Sequence, residues 1–306
     1  MLTQPLERLI EELKTAVQQQ TLDASILEVL SGGRSVTVGG DVHGATIVTG
    51  DHNVVVSHHL GGTNIDEGKL LQTSIDALEN GLKSQLNSNQ TVPYRGLAPF
   101  RLQDAAFYFG RDEEQALILS LMRSKPVLWL HGQSGTGKTS LIQAGLLPQL
   151  LEEDTLPIYI RAFDESPTIA LKKVILKARW SPELDLAKQS LLTYLARLAA
   201  VTHQKRLVLL FDQFEEFFTK VQDETRKQFI VEVADSLNST ELNLCVVFSI
   251  RSDYFGETLQ IRERISQVES AEYRLAAIGH LAARQAIIRP LEQLHVEYEA
   301  RLLRQF

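Results

Sequence analysis

Four runs of consecutive apolar residues stand out beyond the first third of the chain. They fall near residues 126–130, 156–161, 207–211 and 243–250, with stretches of helical apolar spacing between them. Runs this short, rich in Val, Ile and Leu and without polar alternation, predict strands buried on both faces. Strands of that kind alternating with helices predict an α/β fold with a parallel sheet covered on both sides. Upstream the pattern changes twice. Residues 1–30 are polar, with Leu6, Leu9, Ile10, Leu13 and Val17 along one helical face. Residues 31–62 break β-branched runs such as Ser35-Val36-Thr37-Val38, Ala45-Thr46-Ile47-Val48 and Asn53-Val54-Val55-Val56 with regularly placed glycines. Gly40-Asp41-Val42 and Gly50-Asp51-His52-Asn53-Val54 look like two turns of one repeat, which predicts hairpins or a small β-coil. A second amphipathic helix carries Leu70, Leu71, Ile75, Leu78 and Leu82, and Ser88–Pro93 follows as a linker. The expected organisation is thus a helix over 1–30, a Gly-rich β-repeat over 31–62, helix and linker over 63–92, and the α/β domain over 93–306.

The first apolar run leads directly into His131-Gly132-Gln133-Ser134-Gly135-Thr136-Gly137-Lys138-Thr139-Ser140. This is G-x-x-x-x-G-K-T, a phosphate-binding P-loop, between a predicted strand and a stretch, Leu141–Leu147, with helical spacing. Its glycines let the backbone curl with N–H groups facing inward, and the helix N-terminus behind them favours an anion. Gly132 to Ser140 thus form the expected phosphate cradle. Lys138 is expected at the β- and γ-phosphates and the Thr139 hydroxyl on Mg²⁺. The bland alternative, a glycine-rich turn with a surface lysine, does not account for the strand and helix on either side.

A second signal is Arg206-Leu207-Val208-Leu209-Leu210-Phe211-Asp212-Gln213-Phe214-Glu215-Glu216. Here a buried strand ends in a carboxylate, where the Mg²⁺-holding acid of a P-loop NTPase belongs. Asp212 is the expected metal residue, and either Glu215 or Glu216 the group that polarises an attacking water. Acids placed to match a helix dipole would look the same. The strand and helices between P-loop and acid point to the AAA-like branch of P-loop folds that activates water with Glu. No Asn-Lys-x-Asp guanine motif occurs, so adenine is the expected base. The run Asn243–Ile250 ends at Arg251. A strand beside the P-loop would bring this arginine to the γ-phosphate, whereas a surface pair with Asp253 or Glu257 would leave it without that role.

Composition narrows the setting. The net charge of −7 argues against a nucleic-acid platform over the whole surface. The single cysteine, Cys245, lies inside an apolar run and reads as a small core residue. No apolar stretch approaches membrane-spanning length, so a cytoplasmic protein is expected. Two coincidences are set aside. Leu30-Ser31-Gly32-Gly33-Arg34 looks like the signature of ABC transporter ATPases but precedes the P-loop instead of following it. His58-His59 has no acidic or thiol partner at ligand spacing.

The large domain also resembles a known family. Pro93-Tyr94-Arg95-Gly96-Leu97-Ala98-Pro99-Phe100 and Phe109-Gly110-Arg111-Asp112-Glu113 are similar to the opening of bacterial STAND NTPases of the novel-STAND type, relatives of NACHT and NB-ARC ATPases. Leu146-Leu147-Pro148, Asp212–Glu216 and Ser249-Ile250-Arg251-Ser252-Asp253 match the same family. The resemblance implies an ATP-dependent switch in signalling or defence, with Gly110 and Arg111 clasping the adenosine. It also implies a helical lid starting near 281, whose proline, Pro290 in Ile287-Ile288-Arg289-Pro290, packs by the base. STAND proteins continue into a winged-helix region and sensor repeats; this chain stops at Phe306 and reads as a fragment or short form, its trigger not deducible.

The expected function is Mg²⁺-ATP binding with slow hydrolysis as a switch, and self-association through residues 31–62. A flexible spacer accounts equally well for residues 31–62. Two other classes share the motifs: a DNA-handling or remodelling AAA+-type ATPase, and a nucleotide-gated scaffold without turnover.

Overall fold

In the computed structural model, the described residues are four short strands before residue 60 and residues 67–298, apart from 89–91, 162, 164, 183 and 204. The chain divides into two compact units, Met1–Ile65 and Asp66–Phe306.

In the first unit, β1 (Ile26–Val29) pairs antiparallel with β2 (Val36–Gly39), and β3 (Ile47–Thr49) with β4 (Asn53–Val55). The glycine-punctuated runs therefore form two hairpins. The first begins upstream of residue 31, because Ile26-Leu27-Glu28-Val29 supplies the partner for Val36-Thr37-Val38. The predicted helical face from Leu6 to Val17, the Leu30–Arg34 segment and His58-His59 lie outside the described residues.

The second unit is built on a five-stranded, wholly parallel sheet. Its strands are β5 (Val127–Gly132), β6 (Thr155–Ile160), β7 (Arg206–Phe211), β8 (Leu244–Arg251) and β9 (Ser270–Arg274), in spatial order β6-β7-β8-β5-β9. The apolar runs become strands because both faces are covered, and their residues sort by period two into two cores. Val127 and Trp129 of β5 face one core with Leu209, Phe211, Val246 and Phe248. Leu128 and Leu130 face the other with Val208, Leu210, Cys245 and Val247. Trp129 stacks on Phe248 (ring centroids 4.6 Å) and Phe248 on Phe211 (5.6 Å), so aromatics run across three adjacent strands. Burial pushes the Cys245 thiol up to about 11, as expected of a core residue.

Helices cover both faces. Glu67–Leu86 buries Leu71, Ile75 and Leu78 in the first core, and Lys205 Nζ holds Glu79 at 2.7 Å. The helix predicted upstream of the linker is thus packed within the same unit as the sheet. Asp112–Ser124 starts with three acids that suit its N-terminal dipole and buries Ile118, Leu119 and Met122. In Leu191–Val201 the Ser190 hydroxyl caps the first turn by accepting from Thr193 N–H at 3.2 Å. The helix after β5 begins at Lys138, passes through π-type hydrogen bonding over Leu141–Leu146, and continues as Leu147–Glu152. Among the described residues, no helix is long and apolar enough to cross a membrane.

Candidate functional site

The register of the sheet assembles the site. Gly132 at the end of β5 stands opposite Arg251 at the end of β8, and Phe211, the residue before Asp212, stands opposite Phe248. The loop, the acid and the arginine therefore meet at one edge, the carboxyl ends of parallel strands where open α/β sheets bind ligands.

The loop itself turns through Gly135 (φ 80°) and Gly137 (φ 92°), left-handed conformations that a side chain would strain. Gln133 and Ser134 are exposed at its crest, and Thr136 closes it with its hydroxyl on Gln133 O at 3.0 Å. Lys138 is buried; its ammonium donates to Gly132 O (2.9 Å) and Gln133 O (3.1 Å). Burial holds its pKa below the usual lysine value, opposed by the charges of Glu215 and then Asp212. Ser140 Oγ accepts from Phe100 N–H at 3.1 Å, tying the loop helix to the segment that opens the domain.

Asp212 is buried and satisfied by three hydroxyls from three elements. Thr139 Oγ1 donates to Oδ2 at 2.8 Å, the Tyr159 phenol to the same oxygen at 2.9 Å, and Ser249 Oγ to Oδ1 at 2.8 Å. Burial first, and then the Asp212 charge, hold the Tyr159 hydroxyl well above its ordinary value, so it stays a donor. Oxygen atoms of a threonine and a carboxylate in contact are the hard donors that Mg²⁺ takes, and they suit that ion. The next residue, Gln213, has φ 56°, a left-handed conformation of the kind that gathers at functional sites.

Glu215 and Glu216, adjacent in sequence, differ in surroundings. Glu215 Oε2 accepts from Arg251 N–H at 3.2 Å, and its charge acts on Lys138. Glu216 forms an ion pair with Lys220, one turn along its own helix, at 3.0 Å. The Arg251 side chain is 41% exposed, binds Asp253 at 3.1 and 2.6 Å, and lies over the Tyr254 ring. The surface pair considered from the sequence is thus formed, at a backbone position beside the loop.

Arg111 is also buried, and its guanidinium donates to Thr136 O (3.1 Å), Ala276 O (2.9 Å) and Glu114 (2.5 Å). It braces the loop against the segment after β9. Gly110 (φ 84°) touches the helix His280–Gln293 so closely that a Cβ there would lie 2.3 Å from Ala282 O. Pro290 is buried inside that helix. Tyr94 donates its hydroxyl to Ile287 O at 2.5 Å, and Arg289 lies over the Phe109 ring, so residues 94–111 link the loop to this helix.

Sequence reasoning missed three members of the neighbourhood: Tyr159, Ser249 as an Asp212 ligand, and His131. The His131 ring stacks on Phe255 (4.3 Å) and bonds Ser252 Oγ (3.0 Å) and Glu272 (3.2 Å). A tyrosine in a strand carries no spacing signal. His131, next to the loop, was visible but had no partner in sequence.

A P-loop strand and an acid-tipped strand separated by one further parallel strand define a P-loop NTPase of the AAA-like kind. The chain belongs to the novel STAND NTPase 1 family, whose model matches residues 93–306. No curated protein matches it significantly. It is similar to solved structures of a Walker-type ATPase of Pyrococcus abyssi (14% identity, 69% of this chain and 65% of that one, TM-score 0.48). The ADP form of the Aeropyrum pernix ORC2 protein follows (16%, 69% and 56%, TM-score 0.41), as does the AAA domain of FIGL-1 with ADP (15%, 80% and 74%, TM-score 0.40). The chain spans about two thirds of the length of the first of these and less of the second.

Proposed function

We propose that this chain binds ATP with Mg²⁺ and acts as a slowly hydrolysing switch. The observation that carries this reading is the 2.8 Å hydrogen bond between Thr139 Oγ1 and Asp212 Oδ2, which joins the P-loop to the acid strand. The loop N–H groups from Gly132 to Ser140 cradle the phosphates, and Lys138 leaves its two loop carbonyls for phosphate oxygens. Thr139 and Asp212 would hold Mg²⁺, which would supply positive charge against the phosphoryl oxygens. Glu215 polarises the attacking water; its charge reaches Lys138, whereas Glu216 is engaged with Lys220. Arg251 senses the γ-phosphate by exchanging Asp253 for it. Pro290 and Gly110 belong to the lid over the base, and Arg111 supports the loop from behind.

The test is ATP turnover by the wild-type chain, Glu215→Gln and Glu216→Gln, with and without duplex DNA. The reading expects Glu215→Gln to lose about 10²-fold or more of turnover while still binding ATP, and Glu216→Gln to stay near wild type. Equal losses in both variants would remove Glu215 from its role, and DNA-stimulated turnover would favour a DNA-handling ATPase. Tight binding without turnover would favour a scaffold. Residues 31–62 are proposed to associate with copies of themselves, since two-stranded hairpins are marginal alone in water. Deleting them should abolish ATP-dependent larger species in sedimentation; an unchanged profile would make them a spacer.

A further inference from the structure

The structure assigns Tyr159 as a positioning residue for the Mg²⁺ site, acting through Asp212. This rests on the reading of Asp212 as the metal-holding acid. An ionised carboxylate offers about four lone-pair sites. In Asp212, Oδ2 takes two hydroxyl donors, from Thr139 and Tyr159, and Oδ1 takes one, from Ser249. Three sites are therefore filled and one, on Oδ1, is left, through which the carboxylate would act on a bound Mg²⁺ directly or through a water. Oδ2 cannot swing away to compete, because two donors from separate elements fix it.

The phenol proton is committed to this task. Gln143, on the loop helix, donates its side-chain N–H to the Tyr159 oxygen at 3.0 Å. That bond occupies the acceptor side of the hydroxyl, and its single proton points to Asp212. Gln143 lies on the helix that begins at Lys138 and carries Thr139, so one helix supplies a metal ligand and also orients the tyrosine that aligns the other. Tyr159 stands on β6, the edge strand beyond the acid strand. Its hydroxyl bonds run to Asp212 and from Gln143, so its effect on nucleotide binding should pass through the carboxylate.

The experiment uses the full chain and a fluorescent ATP analogue, titrated with Mg²⁺ and separately in EDTA. For Tyr159→Phe, which keeps the ring in the core, the Mg²⁺ concentration that half-supports binding should rise about tenfold, as for loss of an outer-sphere partner. Affinity in EDTA should stay within about twofold. In an Asp212→Asn background the same change should add nothing, because the tyrosine acts through the carboxylate. Gln143→Leu, read in the same way, should shift the Mg²⁺ requirement in the same direction but less, and it decides the matter if Tyr159→Phe fails to fold. An unshifted Mg²⁺ requirement, losses of equal size with and without Mg²⁺, or a full shift in the Asp212→Asn background would each overturn the assignment. Wild-type binding that ignores Mg²⁺ would sink the Mg²⁺-ATP reading instead, so the two failures are distinct.

Discussion

Gly110→Ala perturbs the contact between the opening segment and the helix His280–Gln293. Two contributions add. At φ 84° an L-residue is in the left-handed region, which costs roughly 1–2 kcal/mol. Its Cβ would also lie 2.3 Å from Ala282 O and 3.0 Å from the Ala282 carbonyl carbon, both backbone atoms of a helix, so relief requires the helix to move. Overpacking of this kind typically costs about 1–3 kcal/mol. The sum is about 2–5 kcal/mol, which for a unit of this size lowers Tm by on the order of 10 °C. Gly96→Ala is the matched control. Gly96 has φ 61°, and among the described residues, its two chain neighbours aside, no atom lies within 4 Å of the place a Cβ would take, so this variant carries the conformational part alone, about 1–2 kcal/mol. Thermal unfolding of both variants followed by circular dichroism separates the two contributions. If Gly110→Ala melts no lower than Gly96→Ala, the close approach of this helix is not a feature of the folded protein.

Two further outcomes follow from the geometry. Arg251→Ala removes a solvent-exposed pair with Asp253, so the variant should melt close to wild type. Glu215 keeps its bond from the Arg251 backbone, so any fall in ATP turnover reports the guanidinium alone; unchanged turnover would return Arg251 to a surface pair. Burial lowers the His131 pKa below its ordinary value, against the raising effect of Glu272 and with Arg274 and Lys138 acting in the same direction as burial. The unfolded chain then binds the proton more readily, so the contribution of His131 to stability is complete above about pH 6.5 and declines as pH falls. The Tm difference between wild type and His131→Asn should narrow from pH 8 to pH 5.5; a widening difference would mean that protonated His131 stabilises the fold through Glu272.

The sequence carried the parts of this molecule that depend on continuous local signals. β5, β7 and β8 were legible because strands buried on both faces admit no polar residue until their tips. β9 was not, since Ser270-Ala271-Glu272-Tyr273-Arg274 alternates exposed and partly exposed residues at the sheet edge and has no apolar run. The P-loop was legible residue by residue, and the strand tips at Asp212 and Arg251 fell at the loop as expected. Choosing between Glu215 and Glu216 was beyond the sequence, because neighbours on a helix point about 100° apart and the rotation is set by packing. For Arg111 the resemblance implied an adenosine contact, and the guanidinium bonds Thr136 O, Ala276 O and Glu114, partners 25, 165 and 3 residues away of which only the last was near in sequence. Tyr159 reaches Asp212 across 53 residues of chain, a separation no local pattern encodes.

The central claim is tested most directly by equilibrium binding of a fluorescent ATP analogue, with Mg²⁺, to the wild-type chain and to Lys138→Ala. Lys138 is the one lysine among the described loop residues, buried within it and under the charges of Glu215 and Asp212. Losing a charge-assisted contact of about 1.5–3 kcal/mol should weaken binding tenfold or more. Saturable wild-type binding and that loss in a variant that melts like wild type are the predicted result. Equal affinity of the two proteins would contradict the account.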